Sequence, residues 1–179
     1  MNNLVIYEPE IPQNTGNIMR TCVATNTRLH LIEPLGFSLD DRYIKRSGVN
    51  YIPYVEYHVY KNFDEFLEKE INKNEKARMF FLTRYGTHHL HEMDCHDNDL
   101  DYYFILGKES TGVPKEILKN YVDKCIRLPM TDHVRALNVS NVAAIIVYEA
   151  LRQQGFPNLL EYEPDASKPG FKGKDYLER

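Results

Sequence analysis

The chain has 179 residues, of which 42% are hydrophobic, enough for one domain with a buried core. Its 22 basic and 26 acidic residues give a net charge of −4, which argues against a nonspecific nucleic-acid coat. The three cysteines are odd in number and scattered, which indicates free thiols in a reducing compartment. There is no signal-peptide pattern at the amino terminus and no stretch long enough to span a membrane, so we expect a cytoplasmic protein with no membrane partner.

Apolar β-rich segments alternate with amphipathic ones through the first half of the chain. Strands are predicted over residues 4–7, 29–32 and 55–59. Helices are predicted from residue 14 or 15 to about 26, from 38 to 48, and over 62–71.

The second half continues this alternation and ends in a strong helix signal. Strands are predicted over residues 79–83, 102–106 and 125–128, and Pro114 is predicted to be the first residue of a helix. After Asn138, apolar residues recur at helical spacing up to Leu151, and Gly155 stands where a helix cap is expected. The pattern predicts an α/β fold with a mostly parallel sheet and helices on both faces. Residues 1–155 would form this domain, and the Pro-, Gly- and charge-rich residues 156–179 a mobile tail.

Three polar loops follow predicted strands, where open α/β sheets bind ligands. In the first, Asn14 can cap a helix, Gly16 permits close backbone approach, and Arg20 lies one to two turns further on. The alternative is an ordinary helix start with a surface arginine.

The second loop is LGKESTGVP, in which Gly107 and Gly112 flank Glu109. It lacks the G-x-G-x-x-G spacing of dinucleotide-binding loops and a phosphate-binding Lys-Ser/Thr pair, so a nicotinamide cofactor is not expected. A simple strand-to-helix turn is the alternative.

The third loop leads into the long helix and places Met130, Arg135, Asn138 and Ser140 around its start. Backbone N–H groups and side-chain amides converge at a helix start, so these residues are suited to hold a ligand. The capping preference of Asn and Ser explains part of the pattern, which leaves a capped core helix as the alternative.

Histidines and a cysteine cluster between His88 and His96. Their spacing matches no standard zinc pattern and acidic residues separate them, so we predict a polar surface loop and no metal site.

Together the three loops resemble the motifs of the SPOUT class of S-adenosylmethionine-dependent RNA methyltransferases, in its ribose 2′-O-methylating branch. The similar stretches are PQNTGNIMRT from Pro12, FILGKESTGVP from Phe104, and LPM from Leu128 with RALNVS from Arg135. They occur in the family's order and span most of the chain. The short length and the opening YEPEIPQNTGNIMRTC further resemble the family's minimal members, which methylate the wobble nucleotide of tRNA.

The resemblance implies a fold, a cofactor and site residues. It implies a carboxy-terminal trefoil knot that forms a pocket for S-adenosylmethionine, and a homodimer built largely on the first and last helices, with tRNA as the substrate. Arg20 would be catalytic, supported by Asn14, Glu109 and Asn138. The residues implied to bind the cofactor are Leu82, Gly107, Leu128, Met130, Ala136, Leu137 and Ser140.

Basic residues would contact the RNA despite the acidic total. Arg42, Lys45 and Arg46 form a short cluster that could bind phosphates, and Arg135 would join them. A solvated helix face is the alternative for the cluster.

One position departs from the family pattern. Ala136 stands where the family usually has Ser, which removes a hydroxyl worth about 0.5–1.5 kcal/mol as a hydrogen bond. This leaves open a 2′-O-methyltransferase acting on rRNA or another tRNA position, and a non-catalytic RNA-binding factor on the same scaffold. A nucleotide-dependent dehydrogenase is opposed by the missing fingerprint.

Overall fold

The computed structural model describes residues 1–39 and 51–178. Within these ranges the strands form one sheet in which every pair is parallel, in the order β3-β2-β1-β6-β4-β7-β5. The strands are β1 (Asn2–Tyr7), β2 (Arg28–Ile32), β3 (Tyr57–Tyr60), β4 (Ala77–Leu82), β5 (His88–His89), β6 (Asp101–Leu106) and β7 (Cys125–Arg127). The predicted parallel sheet is confirmed.

Four helices accompany the sheet in the described residues. They are α1 (Pro12–Thr25), α2 (Phe63–Phe66, continued by a π-helical turn Leu67–Ile71), α3 (Lys115–Leu118) and α4 (Val139–Gln154). Short 3₁₀ turns occur at Ile52–Tyr54, Leu90–Glu92, Val122–Lys124 and Tyr176–Glu178. The helix predicted over residues 38–48 falls almost entirely outside the described residues.

Each face of the sheet carries its own apolar layer, because side chains alternate along a strand. Leu4 and Ile6 of β1 lie in a core cluster with residues of α1 and α4, whereas Val5 lies in a second cluster with residues of α2. Helices therefore cover both faces, as the alternating pattern predicted.

The two long helices end as their sequences require but start differently from each other. Asn26 and Gly155 take left-handed conformations, with φ of 50° and 74°, just after α1 and α4. Asn138 caps α4 by accepting a hydrogen bond from the Ser140 N–H. By contrast, α1 begins at Pro12, before the predicted Asn14, and has no side-chain cap of its own.

The segment between β4 and β6 departs most from the sequence-based prediction. The predicted surface loop at His88 and His89 instead contributes β5, the edge strand paired with β7. This segment also reaches the last helix, because the Gln153 side chain donates to the Met93 carbonyl at 2.9 Å and accepts from the Cys95 N–H at 2.7 Å.

Other sequence-based boundaries shift by one or two residues. Pro114 precedes α3 instead of opening it, and the strand predicted over 55–59 runs from Tyr57 to Tyr60. Leu159, in the predicted tail, packs against the core cluster of α1 and α4.

No described helix is long and apolar enough to cross a membrane. The described part of the chain also contains no group of three His, Cys, Asp or Glu side chains arranged to hold a metal ion.

Candidate active site

A cavity of about 340 Å³ opens where β4, β6 and β7 end. The three loops singled out in the sequence meet there, because the carboxyl ends of parallel strands lie at one edge of the sheet. Its lining comprises Ile11, Asn14, residues 82–85, residues 106–113, Leu128, Met130, residues 136–139 and Val142.

Most of the predicted site residues lie in this lining. Six of the seven residues expected to bind the cofactor are there, namely Leu82, Gly107, Leu128, Met130, Ala136 and Leu137. Asn14, Glu109 and Asn138 are there as well. Ser140 is not in the lining but is buried behind Asn138.

The polar residues of the site form one directed chain of hydrogen bonds. The Ser140 N–H and hydroxyl both donate to Asn138 Oδ1, at 2.9 and 2.6 Å. Asn138 Nδ2 donates to Asn14 Oδ1 at 3.0 Å, and Asn14 Nδ2 donates to Glu109 Oε1 at 2.9 Å. Each amide therefore has a defined orientation, and the chain ties the start of α4 to α1 and to the loop after β6.

Glu109 also holds the backbone that leads into α1. Its carboxylate accepts from the Glu10 N–H at 2.9 Å and from the Ile11 N–H at 3.3 Å. The helix α1 has no side-chain cap of its own, and this distant carboxylate instead satisfies two backbone donors that precede its first turn.

Two further carboxylates join the same loops in the opposite direction. Glu10 accepts from the Ser110 hydroxyl and N–H, at 2.8 and 2.9 Å, and these bonds lower the pKa of the Glu10 carboxyl. Glu8 accepts from Lys108 Nζ at 2.8 Å, and this bond raises the pKa of the Lys108 ammonium. The loop after β1 and the loop after β6 are thus joined by reciprocal polar contacts.

The turn after β6 requires glycine at two positions for different reasons. A Cβ on Gly107 would lie 2.1 Å from the Gly112 carbonyl carbon and 2.2 Å from the Val113 nitrogen. Gly112 has a φ of 76° and donates its N–H to the Lys108 carbonyl at 2.9 Å. The backbone therefore folds tightly on itself at the cavity wall.

Arg20, the predicted catalytic residue, does not line the cavity of its own chain. It is exposed on α1, with its guanidinium carbon 5.7 Å from the centre of the Tyr51 ring. The Tyr51 hydroxyl donates to the Gly16 carbonyl of the same helix at 2.7 Å. Arg20 thus lies beside Tyr51 and outside the lining of the cavity that its sequence motif helps to build.

The predicted RNA-binding residues are only partly described. Arg42, Lys45 and Arg46 lie outside the described residues. Arg135 is exposed and adjoins the lining residue Ala136 without lining the cavity itself.

Sequence reasoning missed one wall of the cavity, formed by Thr83, Arg84 and Tyr85. These residues follow β4 directly, so the rule that ligands bind at the carboxyl ends of parallel strands could have identified them.

Comparison with known proteins points to one family. The model of the SpoU rRNA Methylase family matches residues 1–148. A relative from Listeria monocytogenes, provisionally named as a tRNA (cytidine(34)-2′-O)-methyltransferase, is 49% identical over 171 residues, covering 96% of this chain and 98% of the relative.

Solved structures show the same fold. One, described as giving structural insights into the 2-OH methylation of C/U34 on tRNA, aligns with a TM-score of 0.79 and 38% identity, over 87% of this chain and 97% of that one. The SpoU methyltransferase AviRb from Streptomyces viridochromogenes, in complex with the cofactor AdoMet, aligns with a TM-score of 0.72 and 19% identity, over 85% of this chain and 57% of that one.

Proposed function

Because this chain belongs to the SpoU rRNA methylase family, we propose that it methylates the ribose 2′-oxygen of the wobble nucleotide of tRNA, using S-adenosylmethionine. The observation that carries the proposal is the single cavity into which all three motif-bearing loops converge. The tRNA substrate is supported by the Listeria relative, which covers nearly the whole chain at 49% identity and is named for cytidine 34.

The chemistry of the cavity lining is suited to a nucleoside-bearing cofactor. Leu82, Leu106 and Val113 are largely buried side chains that supply an apolar wall, and the amides of Asn14 and Asn138 supply polar groups at the edge. Ligand pockets combine a mainly apolar lining with a few placed polar groups in this way. Bound there, S-adenosylmethionine would supply an electrophilic methyl group on a sulfonium.

A trefoil knot in the carboxy-terminal part is a further element of the proposal. It is supported by the packing of Gly86 against the backbone of residues 125–127, where an added Cβ would lie 2.6 Å from the Ile126 carbonyl carbon. The bond that Gln153 donates to Met93 and the bond that it accepts from Cys95 also join the segment after β4 to α4. Threading α4 through that segment would bring these groups together.

In this proposal Asn14, Glu109 and Asn138 position the site, because their polar atoms bond mainly to one another and to the backbone. Ser140 then acts on the cofactor site through Asn138, since both of its donors bond to that residue. Arg20 orients the ribose or the adjacent phosphate and stabilises the charge that develops on the attacking oxygen. It is a poor general base, because a guanidinium keeps its proton in proteins.

The exposed position of Arg20 supports a homodimer in which this residue serves the cavity of the second copy. The apolar faces of α1 and α4 largely pack in the chain's own core, but Ile145 and Tyr148 of α4 remain 38% and 49% exposed and could join an isologous interface. Arg42, Lys45, Arg46 and Arg135 from both copies would then contribute to binding the tRNA, in the cytoplasm.

Cofactor and substrate are tested with the purified protein. We expect calorimetry to detect S-adenosylmethionine binding, and the bound cofactor to raise the melting temperature by mass action. Incubation with unmodified tRNA should yield a 2′-O-methylated nucleoside at position 34. Methylation found at another tRNA position or only in rRNA would reject the wobble assignment, and binding without any methylation would favour a non-catalytic factor.

The shared site is tested by mixing two inactive variants. Arg20→Ala should retain cofactor binding, and its rate of methyl transfer should fall by a factor of about 10²–10³, the usual effect of removing one preorganised charge contact. Asn138→Ala should impair the cofactor cavity. If Arg20 acts on the partner's site, exchange of subunits between the two variants restores activity. A mixture that stays inactive after proven exchange would confine each site to one chain.

A further inference from the structure

Two neighbouring side chains, Arg84 and Tyr85, form an exposed pair at the mouth of the cavity, and neither belongs to the three motif-bearing loops. The Arg84 guanidinium carbon lies 4.7 Å from the centre of the Tyr85 ring, and Arg84 also donates a hydrogen bond to the Tyr85 hydroxyl. Both residues line the cavity, yet Tyr85 is 67% exposed.

The backbone beneath this pair is held from several sides. The Tyr85 N–H donates to the Thr83 hydroxyl at 3.3 Å, and the Gly86 N–H donates to the Thr83 carbonyl at 3.2 Å. Arg127 of β7 donates to the Arg84 carbonyl. Gly86 packs so closely on residues 125–127 that no side chain would fit there. The pair is therefore presented on a fixed turn, so it would lose little backbone entropy when it meets a ligand.

The Tyr85 ring and the Arg84 charge contribute little to the stability of the fold. A ring left largely in water contributes little to the core, and no carboxylate of residues 1–39 or 51–178 forms a salt bridge with Arg84. An exposed aromatic ring beside a cation matches a nucleotide, because the ring can stack on a base while the guanidinium approaches a phosphate.

The adenine of the cofactor and a base of the RNA could each approach the pair, and the location of Tyr85 distinguishes between them. A cofactor in the cavity would have most of its surface buried, against walls such as Leu82 and Leu106, which are 9% and 2% exposed. Tyr85, at 67% exposed, instead faces the solvent from which an RNA substrate arrives. We propose that Arg84 and Tyr85 form a stacking platform for a base of the substrate RNA next to the methylated nucleotide, an inference that rests on the proposed function.

Tryptophan fluorescence offers a direct test, because the chain contains no tryptophan. Tyr85→Trp keeps a stacking ring and places the chain's single tryptophan, which can be excited selectively over the tyrosines, at the platform. We expect an unmodified anticodon stem–loop RNA to quench its emission, and S-adenosylmethionine alone to leave it nearly unchanged. Tyr57→Trp is the matched control, since Tyr57 is a 43% exposed tyrosine at the start of β3, at the far edge of the sheet from β5. Quenching by the cofactor alone would overturn the proposal and assign the platform to the adenine of the cofactor.

Affinity measurements complete the test. Because a base stacked on an aromatic ring contributes to binding, Tyr85→Ala should raise the dissociation constant for the stem–loop about 5- to 100-fold. The dissociation constant of Tyr85→Phe, which keeps the ring, should stay within about twofold of wild type. The dissociation constant for S-adenosylmethionine should not change in either variant. Unchanged RNA affinity in Tyr85→Ala, or an equal loss in Tyr57→Ala, would refute the platform. A wild-type protein that binds the RNA through Tyr85 without methylating it would instead refute the proposed function and leave the platform standing.

Discussion

Replacing Glu109 by Gln tests whether a distant carboxylate really holds the backbone before α1. The carboxylate accepts three hydrogen bonds, from the Glu10 N–H, the Ile11 N–H and Asn14 Nδ2. Glutamine has the same shape but only one acceptor oxygen. If that oxygen takes the place of Oε1, the new amide group faces the Glu10 N–H, and two donors then oppose each other at about the original 2.9 Å.

The cost follows from these contacts. One charge-assisted bond is lost and the two others become neutral, and a hydrogen bond to a charged group is worth about 1.5–3 kcal/mol against about 0.5–1.5 for a neutral one. Since Glu109 is only half-buried, we expect Glu109→Gln to lower the free energy of unfolding by about 2–3 kcal/mol. For a chain of this size that corresponds to a fall in melting temperature of about 4–12 °C.

Urea denaturation followed by circular dichroism measures the change, with calorimetry of S-adenosylmethionine as a second readout. Glu116→Gln is the control, because that glutamate is exposed on α3 and its side chain makes no hydrogen bond within the described residues. Equal stability of the two variants, within about 0.5 kcal/mol, would contradict the role assigned to Glu109.

Three further changes probe other parts of the structure. Gly107→Ala should destabilise the protein by about 3 kcal/mol or more and abolish ligand binding, because its Cβ would lie 2.1 Å from the Gly112 backbone; a normal melting curve would contradict this. Ala136→Ser should change cofactor affinity by about tenfold at most, measured by calorimetry, and complete loss of binding would mean that the cavity is packed differently. Burial lowers the pKa of His30 to about 3. Below pH 6.5 the unfolded chain therefore binds a proton at His30 that the folded protein does not bind, and the free energy of unfolding falls as pH falls. Relative to His30→Asn, wild type should therefore lose about 1–2 kcal/mol more between pH 6.5 and 5 in urea titrations, and identical slopes would show that His30 does not contribute.

The parallel sheet and the cavity wall were predictable because their signals are local. Phe104, Ile105 and Leu106 form a continuous apolar run, typical of a strand buried on both faces, and the polar loops follow such runs directly. The helical spacing between Val139 and Leu151 likewise placed α4 to within a residue.

What the sequence could not predict depends on contacts between distant residues. Glu109 accepts hydrogen bonds from the backbone of residues 10 and 11, almost a hundred positions away. No local sequence pattern predicts this contact. The two-residue strand at His88 exists only through its pairing with β7. The contact between Arg20 and Tyr51, which lies far along the chain, likewise has no local signal.

The position of β6 in the sheet has a consequence for synthesis. This strand lies between β1 and β4, although both of those precede it in the chain. Until residues 101–106 leave the ribosome, the facing edges of β1 and β4 expose unpaired backbone groups beside apolar side chains. The nascent chain therefore carries the partial sheet β3-β2-β1 and a separate β4, whose two neighbours β6 and β7 both come later in the chain. Joining them requires contacts of high sequence separation, which form slowly. A polypeptide interrupted before Asp101 would leave the β1 edge and both edges of β4 unpaired, and unpaired edges of this kind promote aggregation.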